Sequence, residues 1–265
     1  FLSVVLIGTI YPIFLEVISN EQISVGPPFY NKLIAPFLVL FLLAMAIGPK
    51  LKWIKSDIKK RLHLFSFLII SLLLSLLIIR NISLSFLLNT VLITSSLYLF
   101  FISLRDLITK ELSNLSQNIS HFGFSLLILS ILLNNIFSQE IITNLQIGET
   151  HKSEKIKISF ESVDQRIEQN YKAISGNFRI ENFDDGVIVL KPELRIYNQP
   201  NIVTSEADIK MNLFSDKFIT MNLVQNQDYF NIRYQIKPYM VWIWISVLLI
   251  SSGGLISLFR KKHEK

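Results

Sequence analysis

Phe230-Asn231-Ile232-Arg233-Tyr234-Gln235-Ile236 alternates apolar and polar residues over seven positions, and Lys237-Pro238 separates it from the apolar run 239–259. Period two marks a half-covered β-strand, while about 20 mostly apolar residues suffice to cross a hydrocarbon core of about 30 Å. A strand and a membrane span therefore meet within a few residues. The chain is built for two solvents.

Upstream, the same alternation recurs in Lys155-Ile156-Lys157-Ile158-Ser159-Phe160, Asn177-Phe178-Arg179-Ile180-Glu181 and Glu193-Leu194-Arg195-Ile196-Tyr197. Ser175-Gly176-Asn177 and Asp184-Asp185-Gly186 supply turn signals between them. Residues 138–238 hold 12 Lys and Arg against 14 Asp and Glu, whereas the rest of the chain holds 14 against 6. About 100 residues suffice for one core. This segment is expected to be an antiparallel β-domain inserted outside the membrane.

The remainder is apolar in long runs, within a chain of 265 residues that is 51% hydrophobic, with mean hydropathy +0.45. Spans are expected at 1–18, 33–47 with a start inside the Pro-rich loop as the alternative, 62–79, 82–104, 119–137 and 239–259. The fold class is thus an α-helical polytopic membrane protein of about six transmembrane helices with an inserted external β-domain. Its parts are 1–137, with a Pro-rich external loop at 19–32, then 138–238, and then 239–265 with a basic inner tail.

Lys50, Lys52, Lys55, Lys59, Lys60 and Arg61 follow span two, Arg105 and Lys110 follow span four, and Arg260, Lys261, Lys262 and Lys265 follow span six. Lys and Arg favour the inner side, so these three segments lie inside together. The Pro-rich loop, the turn at Arg80-Asn81 and the β-domain then lie outside. The net charge of +6 comes from the inner segments. The β-domain has no basic face, which argues against nucleic acid as a partner. There is no cysteine, so thiol chemistry, disulfides and Cys-ligated zinc are excluded from this chain. The first residue is Phe1 and no basic signal-peptide start precedes the first span, so the sequence is expected to be one part of a longer protein. The use of Ile, Asn, Lys, Ser and Phe, with little Ala, fits an AT-rich genome.

No histidine pair has metal-ligand spacing, and no Ser/His/acid or phosphate-loop motif occurs; catalytic residues are unassigned. His121, in Asn118-Ile119-Ser120-His121-Phe122-Gly123-Phe124, lies at the inner end of span five. An ionisable residue at membrane depth faces a bundle interior or cavity, and a neutral imidazole there can ligate haem iron. The plain alternative is a helix-end histidine bonded to a neighbour. Gly123 leaves room beside the helix. His63 is expected at the interface, and His151 and His263 in water. Glu16 is expected to snorkel. Tyr239, Trp242 and Trp244 form an aromatic belt. Between spans one and two, Ser24-Val25-Gly26-Pro27-Pro28-Phe29-Tyr30-Asn31 is a loop of fixed shape. Its prolines lock φ, Pro27 holds Gly26 out of helical geometry, and Gly26 permits a turn or a close approach. On its own it is a rigid connector.

Gly8-Thr9-Ile10-Tyr11-Pro12 followed by Ile23–Asn31 resembles the C-terminal half of the CcmF family, membrane proteins of cytochrome c maturation called the haem lyase component. His121-Phe122-Gly123 resembles the family's His-Leu-Gly. Lys237-Pro238-Tyr239-Met240-Val241-Trp242-Ile243-Trp244 with Gly253-Gly254 resembles its final span. The resemblance implies that His121 is one axial ligand of a membrane haem b, and so a ligand of haem iron, with the second ligand on an upstream helix this chain lacks. It also implies a vestibule shaped by Gly26, Pro27, Pro28, Phe29, Tyr30 and Asn31. With its missing N-terminal half the protein would help attach haem to Cys-x-x-Cys-His apocytochrome c. Its partners would be a haem chaperone, the apocytochrome, a thiol-handling maturation subunit and membrane lipid. The upstream Trp-rich haem-handling segment is absent, so this chain alone is not a complete lyase. The expected location is a bacterial inner membrane with a periplasmic β-domain, or else a mitochondrial inner membrane. A structural anchor subunit without cofactor is the competing reading. A transporter would want broken helices or midplane polar residues, and apart from Glu16 and Pro36 the spans are too plain.

Overall fold

The computed structural model describes residues 2–19, 23–50, 62–79, 86–109, 115–153, 155–182, 186–224 and 228–263. The chain divides into two compact units, Phe1–Leu129 with Trp244–Lys265, and Ser130–Ile243. The Arg80-Asn81 turn, Asp184-Asp185 and most of the basic segment after residue 50 lie outside the described residues.

Among the described residues six α-helices run in order: α1 Leu2–Ser19, α2 Pro27–Ile47, α3 Leu62–Ile79, α4 Phe86–Ile108, α5 Leu115–Phe137 and α6 Met240–His263. Among the described residues five of them are long and apolar enough to cross a membrane. The sixth, α3, is apolar as well and at 18 residues is as long as α1.

In the Pro-rich segment the second helix starts earlier than Leu33, inside the loop itself. Gly26 is the extended residue that precedes α2, with φ −100° and ψ −179°, as the following Pro requires. Pro27 and Pro28 do not continue a loop; they open the helix. A proline at the first helical position removes an N–H that has no partner there anyway, and its fixed φ already suits the helix. Phe29 N donates to Gly26 O at 3.1 Å and closes the first turn. A Cβ on Gly26 would meet only Pro28 Cδ at an ordinary 3.6 Å, so no close approach explains this glycine. Gly8 does have one. A Cβ there would come within 2.9 Å of the Tyr30 ring, which seats α1 against the start of α2.

Inside the membrane unit apolar side chains gain nothing from leaving lipid, so close packing and hydrogen bonds decide which helices touch. Ser75 Oγ and Thr94 Oγ1 join α3 to α4 at 2.7 Å, and Ser103 Oγ and Ser125 Oγ join α4 to α5 at 3.1 Å. Such bonds average about 0.6 kcal/mol in membrane helices. The backbones of α5 and α6 also approach closely. A Cβ on Gly123 would lie 2.9 Å from Ile250 N and Leu249 Cβ, and one on Gly253 would lie 2.9 Å from Ser116 O. Ser116 Oγ donates to Gly253 O at 2.7 Å across that contact. The room beside Gly123 is filled by α6.

Among the described residues the second unit is a β-sandwich of ten strands. They are β1 Gln139–Leu145, β2 Thr150–Lys152, β3 Ile156–Ile167, β4 Tyr171–Asn182, β5 Gly186–Leu190, β6 Glu193–Tyr197, β7 Val203–Glu206, β8 Asp208–Lys210, β9 Ser215–Leu223 and β10 Phe230–Pro238. One antiparallel sheet has the order β1-β10-β9-β8; the other has β2-β3-β4-β6-β7, with β5 also paired to β4. All four stretches expected to be strands lie in β3, β4, β6 and β10. Their apolar faces share one core. Ile158, Phe160, Phe178 and Ile180 come from one sheet, and Ile219, Met221, Ile232 and Tyr234 from the other. Phe160 and Phe178 stack at 4.4 Å. Each fully buried side chain of this size contributes about 1.5–3 kcal/mol.

Ser175-Gly176-Asn177, expected to turn, runs straight through β4. Gly176 is there because a Cβ would press within 2.6 Å of the Phe178 ring and 2.8 Å of Met221 Sδ. The signal was real but meant close packing. His151, expected in water, is half-buried on β2 with Nδ1 3.4 Å from Thr143 Oγ1.

β1 follows α5 and pairs with β10, which leads into α6, in the register Gln139↔Ile236. Asn134 Nδ2 donates to Pro238 O at 2.5 Å and ties the two junctions. Replacing Gly253 by Ala is expected to lower the thermal midpoint in detergent, by overpacking worth about 1–3 kcal/mol. Gly254→Ala, whose Cβ points into open space, is expected to leave the midpoint unchanged or raise it. Equal loss in both variants would contradict the α5–α6 contact.

Candidate functional site

His121 sits in the second turn of α5, half-buried. Three features fix that turn. Phe122 packs on Phe100 of α4 at 5.4 Å, Phe124 packs edge-on to Phe41 of α2 at 5.7 Å, and Ser125 bonds Ser103. Asn118 Nδ2, one turn earlier, donates to Asp106 O at 3.3 Å and satisfies a carbonyl at the end of α4.

The His121 side chain lines a cavity of about 20 Å³ with Asp106, Asn118, Gln117, Ser103 and the apolar Ala46. That volume suits a single water rather than a larger ligand. Its charged wall is an ion pair. After α2 the chain turns through Gly48–Lys50, and Lys50 Nζ reaches both carboxylate oxygens of Asp106 at 2.6 and 2.7 Å. The two side chains are only 19% and 26% exposed. A charge held at that depth needs its partner. The apolar helices thus converge on one polar cluster at the end that carries Lys50 and Arg105. Among the described residues no group of three or more His, Cys, Asp and Glu could hold a metal ion by itself.

The other candidate residues lie elsewhere. Gly26 to Asn31 stand at the opposite end of α2 from Ala46, about 28 Å along the helix. Tyr30 is half-buried over Gly8, its ring edge-on to Phe29 at 5.3 Å, while Pro28, Phe29 and Asn31 are exposed. His121 and the Pro-rich segment do not form one site. His63 and His263 lie on α3 and α6, with side chains outside the described residues, and Glu16 is exposed on α1. Asp106 and its pairing with Lys50 went unnoticed in the sequence, where Lys50 counted only as an inner-side charge. The available signal was a carboxylate beside Arg105 at the end of a span.

Five long apolar helices, with an antiparallel β-sandwich inserted before the last, define a polytopic membrane protein with one large extramembrane domain. Residues 136–238 match the family model described as the CcmF C-terminal beta-sandwich. The chain is 25% identical over 277 residues to a cytochrome c-type biogenesis protein CcmF of Pseudomonas fluorescens, covering 99% of this chain and 42% of that protein. It is 24% identical to CcmF of Escherichia coli, with 99% and 42% covered. It is 25% identical to the cytochrome c-type biogenesis protein NrfE of Haemophilus influenzae, with 98% and 42% covered. A solved structure titled Cytochrome c Heme Lyase CcmF superposes with a TM-score of 0.71 at 22% identity, over 95% of this chain and 42% of that one. The chain is thus similar over nearly its whole length to CcmF proteins, and residues 136–238 match their C-terminal beta-sandwich. It spans less than half the length of the relatives it matches.

Replacing Lys50 by Met strands the Asp106 carboxylate and is expected to cost about 1–3 kcal/mol of stability. Adding Asp106→Asn is expected to recover most of that loss, measured by thermal unfolding in detergent. A double variant as unstable as the sum of its singles would deny the pairing.

Proposed function

We propose that this chain is the C-terminal part of a haem-handling membrane protein that helps attach haem covalently to Cys-x-x-Cys-His apocytochrome c. The observation that carries the reading is similarity over nearly the whole chain to proteins named for cytochrome c biogenesis, together with a half-buried histidine on a membrane helix. Lys50 and Arg105 at the His121 end put that end inside by the positive-inside rule. The Pro-rich segment and the β-sandwich then lie outside, in a bacterial periplasm. A mitochondrial intermembrane space is the alternative, and the bacterial relatives favour the former.

His121 would hold haem b as one ligand of its iron. The residues fit that role by half. One imidazole stands at membrane depth beside a polar cluster, but the 20 Å³ cavity takes no porphyrin. The described residues therefore supply one ligand, and a second ligand and the rest of the enclosure come from elsewhere in the protein. Bound there, haem b would supply electrons that keep the transferred haem iron reduced. Ser103–Ser125 and the two phenylalanine contacts hold His121 in place, and Lys50 balances the Asp106 charge beside it. The chain has no cysteine, so both thiols come from the apocytochrome and their reduction from a thiol-handling subunit. The exposed Pro28, Phe29 and Asn31 shape the outer vestibule, where a haem chaperone would deliver haem.

The test uses a bacterium deleted for its own CcmF and carrying a reporter cytochrome with one Cys-x-x-Cys-His site. This chain is supplied together with the remainder of its protein. Haem-stained reporter is expected only when the chain is present. Equal staining without it, or none with it despite normal membrane levels, would overturn the reading in favour of a cofactor-free anchor.

A further inference from the structure

Residues 209–214 of the β-sandwich, Ile209-Lys210-Met211-Asn212-Leu213-Phe214, are all exposed. Four are large and apolar: Met211 is 72% exposed, Phe214 67%, Leu213 58% and Ile209 44%. A link between two strands is ordinarily polar. Apolar side chains clustered outward in this way mark an interaction surface.

The sheet register says where that surface is. Gln139, at the start of β1, and Pro238, at the end of β10, adjoin the end of α5 and the start of α6, so the chain passes between sheet and helix at that end of the sheet. β9 pairs with β10 in the register Ser215↔Pro238 and Leu223↔Phe230, so β9 begins at the helix end and finishes away from it. β8 pairs with β9 through Lys210↔Lys217 and Asp208↔Ile219, so Lys210 is the helix-end residue of its strand. The link between β8 and β9 is therefore level with the first residue of α6.

A backbone bond fixes that level. Tyr239, the residue between β10 and α6, has φ +62°, uncommon for a side chain of its size. Its N–H donates to Phe214 O at 2.9 Å. The bend that converts strand to helix is thus tied to the apolar link. Asp216 Oδ1 accepts from Asn212 N at 3.1 Å, and Asn212 Oδ1 accepts from Leu213 N at 2.6 Å. The polar groups are spent inside the loop, while Met211, Leu213 and Phe214 stay exposed. Trp242 and Trp244 follow within two turns of α6, as in an interfacial belt.

We propose that the link 211–214, with the end of β8, is a lipid-inserted foot: Met211, Leu213 and Phe214 enter the headgroup and upper acyl region of the bilayer, with Lys210 at the phosphate level. The occupant is lipid because the link is continuous with the membrane entry of α6, where lipid is the surrounding medium. The foot pins the sandwich at the surface by a third point besides α5 and α6. It rests on α6 crossing a membrane, not on haem binding.

The absence of cysteine makes the test direct. A nitroxide is placed at Leu213→Cys, and separately at Met211→Cys, in the full-length protein with any cysteine outside this chain changed to serine. The protein is reconstituted in phosphatidylcholine–phosphatidylglycerol nanodiscs. The comparison site is Leu223→Cys, at the far end of β9, about 26 Å away. Collision with oxygen and with a water-soluble nickel chelate reads the depth. Oxygen is expected to dominate at 211 and 213, and nickel at 223. Nickel dominating at 211 and 213 would overturn the proposal. So would an immobilised label shielded from both reagents, which would mean that a protein covers the link.

Discussion

The structure depends on one contact between helix backbones, where α5 and α6 meet at Gly123 and Gly253. Apolar helices in lipid have no hydrophobic reason to choose each other, so selectivity has to come from surfaces that fit closely. Here two glycines remove the side chains that would keep the backbones apart, and Ser116 bonds across the gap. These are also the helices between which the β-sandwich is inserted. Pairing of β1 with β10 brings their far ends together by a second route, with Asn134 and Pro238 bonded at the junction. The pair is thus fixed at two levels, and His121 lies on it two residues before Gly123.

That placement divides the molecule into two ends. At one, the packed helices leave a water-sized cavity around His121, bounded by the Lys50–Asp106 pair and Asn118. At the other, the Pro27–Pro28 start of α2 rests on α1 through Tyr30 and Gly8. About 28 Å of helix separates them. In the proposed function the separation has a meaning: a membrane redox site at the inner end and haem handling at the outer end are served by different residues.

Much of this was legible in the sequence, because hydrophobic period is a direct consequence of which faces are covered. The alternation in Phe230–Ile236 and the run after it placed β10 and the start of α6 within a residue or two. Single Gly and Pro residues were less legible, since each has several physical uses. Pro27 and Pro28 suit a rigid loop and a helix start equally well. Gly176 suits a turn, but serves a crowded core. Gly123 was expected to leave room beside the helix, and α6 takes that room. The Lys50–Asp106 pair was invisible because its members are 56 residues apart and only the fold brings them together. His121 could be singled out early because an imidazole is conspicuous on a membrane helix; its neighbours could not.

The most direct test is a reduced-minus-oxidised absorption spectrum of the purified full-length protein, recorded beside His121→Ala. The account predicts a b-type signal in the parent protein that is lost in the variant, while the variant remains folded in detergent. A signal that survives unchanged in His121→Ala would contradict the ligand assignment, and no haem signal in the intact protein would contradict the haem-handling reading itself.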